Sequence, residues 1–361
     1  MNILYIVPFG GTGGAEKIAI NLAKNFNQDK NVKVIFLKSP LLCDTQGLNV
    51  DVVGLNSLLS IPFALFKLFI LILRFKPDIV HSHLFYANFL ARIFKLFFDY
   101  KLICSEHNTI TKYTDFPVYF KILTKVTSKI SNFNSNVSQE AVNSYISNGY
   151  YSKNEIECVY NGLDFSKFKK SLSDIKGLNK YPKGIKDYHH YKFLAVGRLH
   201  YQKNWPMMMD ALQKLKVYEN NFILYVVGDG PELDNIKKLI KNYNLTDNIV
   251  FLGVRGDVSD LMAICDLYLL SSYFEGLPTV LIEAMASKLN IVSTDCGGVV
   301  EILGSNKYVV ENNNSDQFFK VIHEAINNDN TDLIDFRYKR ASDTFDEKIM
   351  FKKWLSIYES I

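Results

Sequence analysis

The sequence predicts an α/β protein with two parallel-sheet domains. Apolar runs typical of strands alternate with helical segments along most of the 361 residues, which is the pattern of βα units. A chain of this length exceeds one ordinary hydrophobic core, so two domains of about 170 residues are expected. Residues 166–190 are rich in Lys, Ser and Gly and lack an apolar period. We interpret them as a linker between domains at 1–165 and 191–345.

Each predicted strand is a short apolar run that ends in a turn signal. In the first domain the strands are predicted near residues 2–7, 32–37, 78–82, 101–105, 132–137 and 156–160. In the second domain they are predicted near residues 192–197, 222–228, 248–253, 266–271, 290–294 and 307–310. A final helical segment, F-D-E-K-I-M-F-K-K-W-L-S-I-Y-E-S-I, begins at Phe345.

The segment S-S-Y-F-E-G-L-P-T-V-L-I-E places Glu275 and Glu283 on either side of a helix start. Pro278 suits the first helical turn, so Glu275 is expected in a loop and Glu283 in the helix. The backbone N–H groups that face this loop belong to Leu277, Thr279 and Val280. Such a helix start binds phosphate, while carboxylates accept hydrogen bonds from sugar hydroxyls. The segment therefore predicts a nucleotide-sugar site, and the alternative is a capped surface helix with two unrelated acids.

Three other loops follow predicted strands and carry groups suited to an anion. The segment V-G-R-L-H-Y-Q-K-N supplies Arg198 and Lys203. The planar guanidinium of arginine and the flexible ammonium group of lysine both suit phosphate oxygens. Gly297 and Gly298 follow another strand, and a missing Cβ lets backbone approach a ligand. Near the N-terminus, F-G-G-T-G-G-A-E lies between a strand and a helix.

Together and in this order, these segments resemble the retaining glycosyltransferases of family 4, which have the GT-B fold. The resemblance covers nearly the whole chain. It runs through G-G-A-E (13–16), P-D-I-V-H-S-H (77–83), S-E-H-N (105–108), V-Y-N-G-L-D (159–164), V-G-R-L (196–199), V-G-D-G-P (227–231), E-x7-E (275–283) and G-G-V-V-E (297–301). It implies two Rossmann-like domains that face a central cleft, with a C-terminal helix (346–361) that returns to the first domain.

The resemblance also implies a function and roles for individual residues. The chain is expected to move a sugar from a nucleotide-diphosphate donor, expected to be a UDP-sugar, to a lipid-linked or saccharide acceptor in cell-surface polysaccharide or glycolipid synthesis. Glu275 contacts the transferred sugar, Arg198 and Lys203 neutralise the diphosphate, and His107 reaches the donor sugar. Glu283 holds the ribose. The other implied donor-binding positions are Gly13, Gly14, Gly228, Val254, Gly276, Leu277, Pro278, Thr279, Val280 and Gly298.

Three alternative functions account for part of the sequence pattern. A nucleotide-sugar epimerase with the GT-B fold binds the diphosphate in the same way but needs no acceptor. A non-catalytic nucleotide-sugar-binding protein is the second alternative. A Rossmann oxidoreductase is disfavoured, because residues 10–15 do not form G-x-G-x-x-G and the second strand ends in Leu37 and Lys38 where an acid is needed for the ribose of NAD.

Neither a cofactor nor a metal ion is expected. The sequence has no D-x-D motif, and Arg198 and Lys203 are expected to neutralise the diphosphate instead. The five cysteines are scattered singly, which is typical of reduced thiols in a cytoplasmic protein. No signal peptide precedes the first strand, so we expect a cytoplasmic protein.

Positive charge is concentrated in the first half of the chain. Residues 1–170 hold 19 Lys and Arg against 12 Asp and Glu, a net of +7, whereas the remainder has a net of −3. A basic first domain suits an anionic partner. Nucleic acid is not expected, because no known binding module is present.

The most apolar segment, residues 58–75, is a poor membrane span because it contains Pro62 and Lys67. It is either a core helix or an interfacial helix that places Lys67 and Arg74 at lipid headgroups. The basic and aromatic segment 111–125 extends such a surface. In the second interpretation the protein lies peripherally on the inner face of the cell membrane.

Overall fold

A computed structural model describes residues 1–11, 13–110, 117–168 and 191–361. These residues form two compact units, Met1–Gly162 with Lys348–Ile361, and Leu163–Glu347. The boundary follows Gly162 rather than residue 165, because Leu163 pairs with Asp346 in a parallel bridge and exchanges backbone hydrogen bonds with its neighbours. Most of the predicted linker, residues 169–190, lies outside the described residues.

The first unit is built on a seven-stranded parallel sheet. Its strands are β1 (Asn2–Gly10), β2 (Asn31–Leu41), β3 (Asn49–Val52), β4 (Ile79–His83), β5 (Lys101–Ser105), β6 (Phe133–Asn136) and β7 (Glu157–Cys158). The helices between them are α1 (Gly14–Phe26), α2 (Ile61–Phe75), α3 (Phe85–Lys95), α4 (Val118–Thr127) and α5 (Gln139–Ser147). The strand order is β3-β2-β1-β4-β5-β6-β7.

The second unit is built on a six-stranded parallel sheet. Its strands are β8 (Tyr191–Val196), β9 (Phe222–Val227), β10 (Ile249–Gly253), β11 (Leu267–Leu270), β12 (Asn290–Thr294) and β13 (Val309–Val310). Its helices are α6 (Trp205–Tyr218), α7 (Leu233–Asn242), α8 (Val258–Ile264), α9 (Thr279–Ala286), α10 (Val299–Leu303), α11 (Ser315–Asn327) and α12 (Thr331–Phe345). The strand order is β10-β9-β8-β11-β12-β13.

Both sheets reverse their strand order at one point, between β1 and β4 in the first sheet and between β8 and β11 in the second. This is the Rossmann-like arrangement, in which ligands bind beyond the carboxyl ends of the strands at the reversal. The predicted α/β fold with two Rossmann-like parallel-sheet domains is confirmed. The loops that leave these strands carry most of the predicted site residues.

The last helix, α13 (Glu347–Ser360), packs within the first unit. Its buried side chains join the hydrophobic core formed by β1, β2 and α1. They are Met350, Trp354, Ile357 and Tyr358. The hydroxyl groups of Tyr358 and Tyr5 lie 2.8 Å apart in this core. The predicted return of the C-terminal helix to the first domain is therefore confirmed.

Strand β3 was not predicted. It has four residues, none of them fully buried, and it forms the edge of the first sheet. A short edge strand needs no continuous apolar run, because one side of it has no neighbouring strand to cover it. The sequence signal for such a strand is correspondingly weak.

The apolar segment Leu58–Phe75 contains a 3₁₀ turn followed by α2. Within the described residues it is the one helical segment with the length and apolar composition to cross a membrane, with a mean hydropathy of 2.1 and 17% of it buried. Only one face of α2 is buried, through Ala64, Leu68 and Ile72. Leu65, Phe69, Leu71 and Phe75 are partly buried against the same core. The large apolar side chains of α2 that remain exposed are Phe63, Phe66 and Leu73.

Candidate active site

The second unit brings together a predicted phosphate-binding cation and a predicted sugar-binding acid. Lys203 follows β8 in a short 3₁₀ helix, and Glu275 lies in the loop after β11. Lys203 Nζ lies 2.6 Å from Glu275 Oε1, and the two side chains are only 17% and 14% exposed. The Ser272 hydroxyl donates to the same carboxylate oxygen at 2.8 Å.

This ion pair is mostly shielded from water, so salt screens it less than a surface pair. Removal of either partner leaves an uncompensated charge in a desolvated position. The Glu275 backbone N–H donates to the carbonyl oxygen of Cys296 at the end of β12. Gln202 further holds the loop, since its side chain donates to the carbonyl oxygen of Phe274 at 2.8 Å. The ends of three neighbouring strands therefore fix the acid.

Arg198 lies beside this pair in sequence and is exposed. In the described part of the chain, its guanidinium makes no hydrogen bond or ion pair. Its backbone is held more firmly, because the Leu199 N–H donates to the Asp229 carbonyl at 2.9 Å. The side chain is therefore available for an anion, while its point of attachment is fixed.

Glycines let the loops after β8 and β9 pack closely. A Cβ on Gly197 would lie 2.8 Å from Lys203 Cε, so the lysine side chain crosses this glycine. Gly228 has φ +139, and a Cβ there would lie 2.0 Å from the Gly197 carbonyl oxygen. A Cβ on Gly230 would lie 2.3 Å from the Leu199 carbonyl oxygen. Gly228, predicted as a donor-binding position, thus also has a packing role.

The predicted helix start is α9, with Pro278 at the N-cap, one position before the first helical turn where the sequence placed it. Gly276 and Leu277 lie in the preceding loop, and Thr279 and Val280 begin the helix. Glu283 follows within α9 and is half-buried. Burial, and after it the charge of Glu283, raise the pKa of Tyr268 on β11. The Tyr268 hydroxyl in turn donates to the Val196 carbonyl at the end of β8.

Two further predicted positions lie at other strand ends of the second unit. Gly298 has φ 65 and is the N-cap residue of α10, directly after Gly297 with φ 105. Val254 follows β10 and is 81% exposed. The adjacent Gly253 accepts a backbone hydrogen bond from Gly228 at 2.9 Å. The structure thus places Val254 next to the loop that contains Gly228.

In the first unit, the glycine turn before α1 is partly filled by the chain itself. A Cβ on Gly13 would lie 2.5 Å from Oε2 of Glu16, whereas a Cβ on Gly14 would meet nothing within 4 Å. Glu16 is buried, and this burial raises the pKa of its carboxyl group while a hydrogen bond from its own backbone N–H lowers it. The carboxyl group of Glu16 therefore lies at the helix start where the sequence predicted an external anion.

His107 is half-buried and lies in a cluster with the buried His81 and His83 at the ends of β4 and β5. Its Nε2 lies 3.0 Å from His83 Nδ1. His81 Nδ1 lies 2.7 Å from the Tyr358 hydroxyl, and His81 Nε2 lies 2.8 Å from Ser105 Oγ. Burial lowers the pKa of His107 to about 4, and it lowers the pKa of His81 and His83 well below 6.5. At neutral pH these rings act as uncharged hydrogen-bonding groups.

The sequence favours a hydrogen-bonded structural or substrate role for the strand-end histidines over metal binding, but His83 was not counted among the site residues, although the motif P-D-I-V-H-S-H contains it. No role was predicted for Glu106, which precedes His107 in S-E-H-N. The signal was present in both cases, because polar residues directly after buried strands are unusual unless they have partners. No group of three or more His, Cys, Asp or Glu in the described ranges is arranged to hold a metal ion.

Two family profiles match successive parts of the chain. The profile described as Glycosyltransferase Family 4 matches residues 12–167. The profile described as Glycosyl transferases group 1 matches residues 181–340. Together they match most of both units.

Curated relatives match at lower coverage. The UDP-Gal:alpha-D-GlcNAc-diphosphoundecaprenol alpha-1,3-galactosyltransferase of Escherichia coli is 27% identical over 309 residues, which cover 81% of this chain and 75% of that protein. The N-acetylgalactosamine-N,N'-diacetylbacillosaminyl-diphospho-undecaprenol 4-alpha-N-acetylgalactosaminyltransferase of Campylobacter jejuni is 29% identical over 188 residues, which cover 51% and 48%. The chain spans about half the length of several of the curated relatives it matches.

Solved structures share the fold over the whole chain. HepE from Anabaena, in complex with UDP and glucose, aligns with a TM-score of 0.84 and 22% identity, covering 99% of both chains. WaaG, a glycosyltransferase of lipopolysaccharide biosynthesis, aligns with a TM-score of 0.73 and 18% identity, covering 99% of this chain and 100% of WaaG. At these identities the likeness concerns the fold.

Proposed function

Since the chain belongs to the family 4 glycosyltransferases of the GT-B fold, we propose that it is a retaining enzyme that uses a UDP-sugar donor. Its proposed acceptor is a lipid-linked or other saccharide of cell-surface polysaccharide or glycolipid synthesis. The observation that carries this proposal is the shielded pair of Lys203 and Glu275, 2.6 Å apart beside Arg198. The names of relatives support it, because the Escherichia coli enzyme uses UDP-Gal and a diphosphoundecaprenol-linked GlcNAc.

In this proposal the donor separates the ion pair of Lys203 and Glu275. Lys203 turns to the diphosphate, together with Arg198 and the N–H groups at the start of α9. Glu275 then accepts hydrogen bonds from hydroxyl groups of the donor sugar, and Glu283 binds the ribose. The backbone at Val254 contacts the nucleobase.

The reaction breaks the bond between the sugar C1 and the diphosphate oxygen, and it forms a bond from C1 to the acceptor oxygen on the same face. The acceptor proton passes to an oxygen of the leaving diphosphate, so UDP and the new glycoside are the products. Negative charge grows on the diphosphate in the transition state, where Arg198 and Lys203 stabilise it. Glu275 positions the sugar and is not a nucleophile. Neutral His107 offers a hydrogen bond to the same sugar.

A donor panel tests this function. Each UDP-sugar is incubated with the protein, with and without membrane extract, and both nucleotide release and sugar identity are measured. We expect one donor to release UDP in an acceptor-dependent manner. Interconversion of the sugar without acceptor indicates an epimerase, and tight donor binding without turnover indicates a binding protein.

We also propose that no metal ion is required, because Arg198, Lys203 and the start of α9 supply the positive charge that a divalent ion supplies elsewhere. Activity in the donor panel should persist when EDTA is added. Loss of activity in EDTA with recovery on addition of Mg²⁺ or Mn²⁺ contradicts this part of the proposal.

The first unit carries the surface that we propose to contact an anionic membrane. The large apolar side chains of the segment Leu58–Phe75 that remain exposed are Leu58, Leu59, Phe63, Phe66 and Leu73, at 48–88% exposure. Lys67 and Arg74 are exposed on the same segment. Apolar side chains beside cations suit the boundary between acyl chains and anionic headgroups.

Helix α4 repeats this combination. Val118, Ile122 and Val126 form an exposed apolar row with spacing of one helical turn. Lys121 and Lys125 are exposed beside that row. Part of the basic segment predicted to extend the membrane surface, residues 111–116, lies outside the described residues. The described part, α4, has the amphipathic character that the prediction requires.

A further inference from the structure

The first unit contains a cavity of about 150 Å³ beside the carboxyl ends of β1, β4 and β5. Most of its wall is apolar and aromatic, formed by Pro8, Phe9, Leu84, Phe85, Tyr86 and Phe120. Phe9 and Tyr86 are 47% and 50% exposed, so the cavity reaches the surface at these two rings. A cavity of this size admits a group of about the size of benzene.

Four buried polar side chains also line the cavity. They are Glu106, Thr124, Tyr145 and Tyr150, which are 2%, 2%, 4% and 7% exposed. Asn88 Nδ2 and the Tyr151 hydroxyl both donate to Oε1 of Glu106, at 3.0 and 3.1 Å. Within the described ranges, no hydrogen bond reaches Oε2 of Glu106 or the hydroxyl groups of Tyr145 and Tyr150. One acceptor and two hydroxyl groups are therefore available to a ligand.

The backbone at the cavity is strained. Leu84 has φ 68 and ψ 157, which is sparsely populated for a residue with a side chain. Its N–H donates to the Ser105 carbonyl at 2.8 Å, and its carbonyl accepts from the Asn88 N–H at 2.9 Å. Strained residues held in this way gather at ligand-binding positions. This strain supports the cavity as a binding site independently of its polar groups.

We propose that the cavity takes the acetamido group of an N-acetylated acceptor sugar. An acetamido group has one N–H, one carbonyl oxygen and one methyl group. The N–H donates to Oε2 of Glu106, and the carbonyl oxygen accepts from both Tyr145 and Tyr150. The methyl group contacts the rings of Phe85 and Phe120, which are stacked 3.6 Å apart at their centroids. The sugar ring stays at the mouth, against Phe9 and Tyr86.

Other substituents fit this chemistry less well. A sugar hydroxyl group uses the polar atoms but leaves the aromatic wall in contact with water. A protonated amino group on the sugar would require a carboxylate in the cavity that is not already linked to a cation. Glu106 is already linked to a cation, because Tyr151 donates to Glu106 and its hydroxyl also accepts from Nη2 of Arg92 at 2.8 Å. The neutral acetamido group satisfies both the polar and the apolar parts of the wall.

Binding of paired sugars to the full chain tests the proposal, which rests on the proposed function because only a transferase needs a sugar acceptor. The pairs are the methyl glycosides of N-acetylglucosamine and glucose, and those of N-acetylgalactosamine and galactose. Calorimetric titration gives the affinity ratio within each pair. We expect the acetamido sugar to bind at least about tenfold more tightly in one pair.

Three variants locate this preference. Tyr145→Phe and Tyr150→Phe remove hydroxyl groups that have no hydrogen bond within the described residues, so the fold is expected to persist. Each should reduce the affinity ratio about threefold to tenfold. Glu106→Gln should also reduce it, with thermal unfolding as the check on folding. The matched control is Tyr218→Phe, at an exposed position of the second unit, which should leave the ratio unchanged.

Equal affinity within both pairs overturns the proposal, as does a preference that survives all three variants. The same sugars, tested as acceptors, separate it from the proposed function. Selective binding of the acetamido sugar without transfer from any donor supports the cavity site and rejects the transferase. Equally efficient transfer to acetamido and hydroxyl sugars supports the transferase and rejects the cavity site.

Discussion

The two sheets share one strand order but offer different chemistry at their carboxyl ends. In the first sheet the ends of β4 and β5 carry uncharged rings, with the buried His83 3.0 Å from the half-buried His107. In the second sheet the ends of β8 and β11 carry charges, with Lys203 paired to Glu275 and Arg198 exposed. The first set suits a neutral ligand rich in hydroxyl groups, and the second suits a diphosphate.

This contrast separates what topology determines from what side chains determine. The reversal of strand order gathers loops at one point in each sheet, whatever residues they contain. The side chains in those loops then determine whether the electrostatic field at that point is strong or weak. A duplicated architecture can therefore serve two halves of one reaction, the activation of a donor and the recognition of an acceptor.

Acidification should destabilise the first unit most. Burial lowers the pKa of His81, His83 and His107, so below about pH 6.5 the unfolded chain binds protons that the folded unit excludes, down to the pKa of about 4 of His107. Glu16 and Glu106 act in the opposite direction, because burial raises their pKa. Because three histidines oppose two carboxyl groups, the folded first unit should lose stability as the pH falls below about 6.5.

Hydrogen exchange of the full chain at about pH 7 and about pH 5, corrected for intrinsic rates, measures this loss in each unit. The second unit should change less. Hydrogen bonds from Thr331 hold the pKa of Asp329 below its usual range, so that contribution is lost only at still lower pH. Burial raises the pKa of Asp295, which favours the folded state on acidification. An equal loss of protection from hydrogen exchange in both units would contradict the prediction that the first unit is more sensitive to acid.

Removal of the charges at the second sheet should abolish most of the turnover. Arg198→Ala and Lys203→Ala should each lower kcat about 100-fold to 1000-fold, because the charge on the diphosphate grows in the transition state. Lys203→Ala also leaves Glu275 without its partner in the free protein, so this variant should be the less stable of the two. Steady-state kinetics with the preferred donor measure both constants. Lys238→Ala, at an exposed position on α7, is the matched control, and a raised donor KM with unchanged kcat is the opposing result.

Loss of the ribose contact should have a smaller effect, on binding alone. Glu283→Ala leaves the ribose hydroxyl groups without their acceptor, which costs about 1 to 3 kcal/mol of donor affinity. Titration with UDP measures the change, and circular dichroism checks that the fold is intact. Wild-type affinity in this variant removes Glu283 from the donor site.

The smallest effect concerns the basic surface of the first unit. Lys67→Gln with Arg74→Gln should weaken flotation with acidic vesicles by about 1 kcal/mol per cation, and binding should fall as salt rises. Neutral vesicles should bind less. The control pair, Lys237→Gln with Lys238→Gln, removes two exposed charges from the second unit. Equal flotation of the wild type and the first double variant returns Leu58–Phe75 to a purely structural role.

The elements and the site segments were predictable because their signals are local. Central strands such as β8 and β12 are continuous apolar runs, buried on both faces of a parallel sheet. The spacing of Glu275 and Glu283 around Pro278 identified a helix start that the structure contains as α9. The edge strand β3 lacks such a signal and was missed.

Partners that lie far apart in the chain were not predictable. The pair of Lys203 and Glu275 joins residues separated by 72 positions, and several other loops offered a carboxylate to the same lysine. The position of Glu16 beside Gly13 depends on how the side chain turns at the helix start, which spacing does not specify. Oε2 of Glu106 can be identified as an available acceptor only when the structure shows that Asn88 and Tyr151 donate to Oε1.

The glycines of the loop after β9 determine where Arg198 lies, although neither carries a functional group. Gly228 and Gly230 press against the carbonyl oxygens of Gly197 and Leu199, on either side of the arginine. Because an added methyl group has no room there, alanine at either position must move the backbone that holds the guanidinium. A change of shape in one loop thereby displaces a charge in the next. Gly230→Ala is therefore expected to weaken the proposed donor site, although Gly230 is not among the residues predicted to touch the donor.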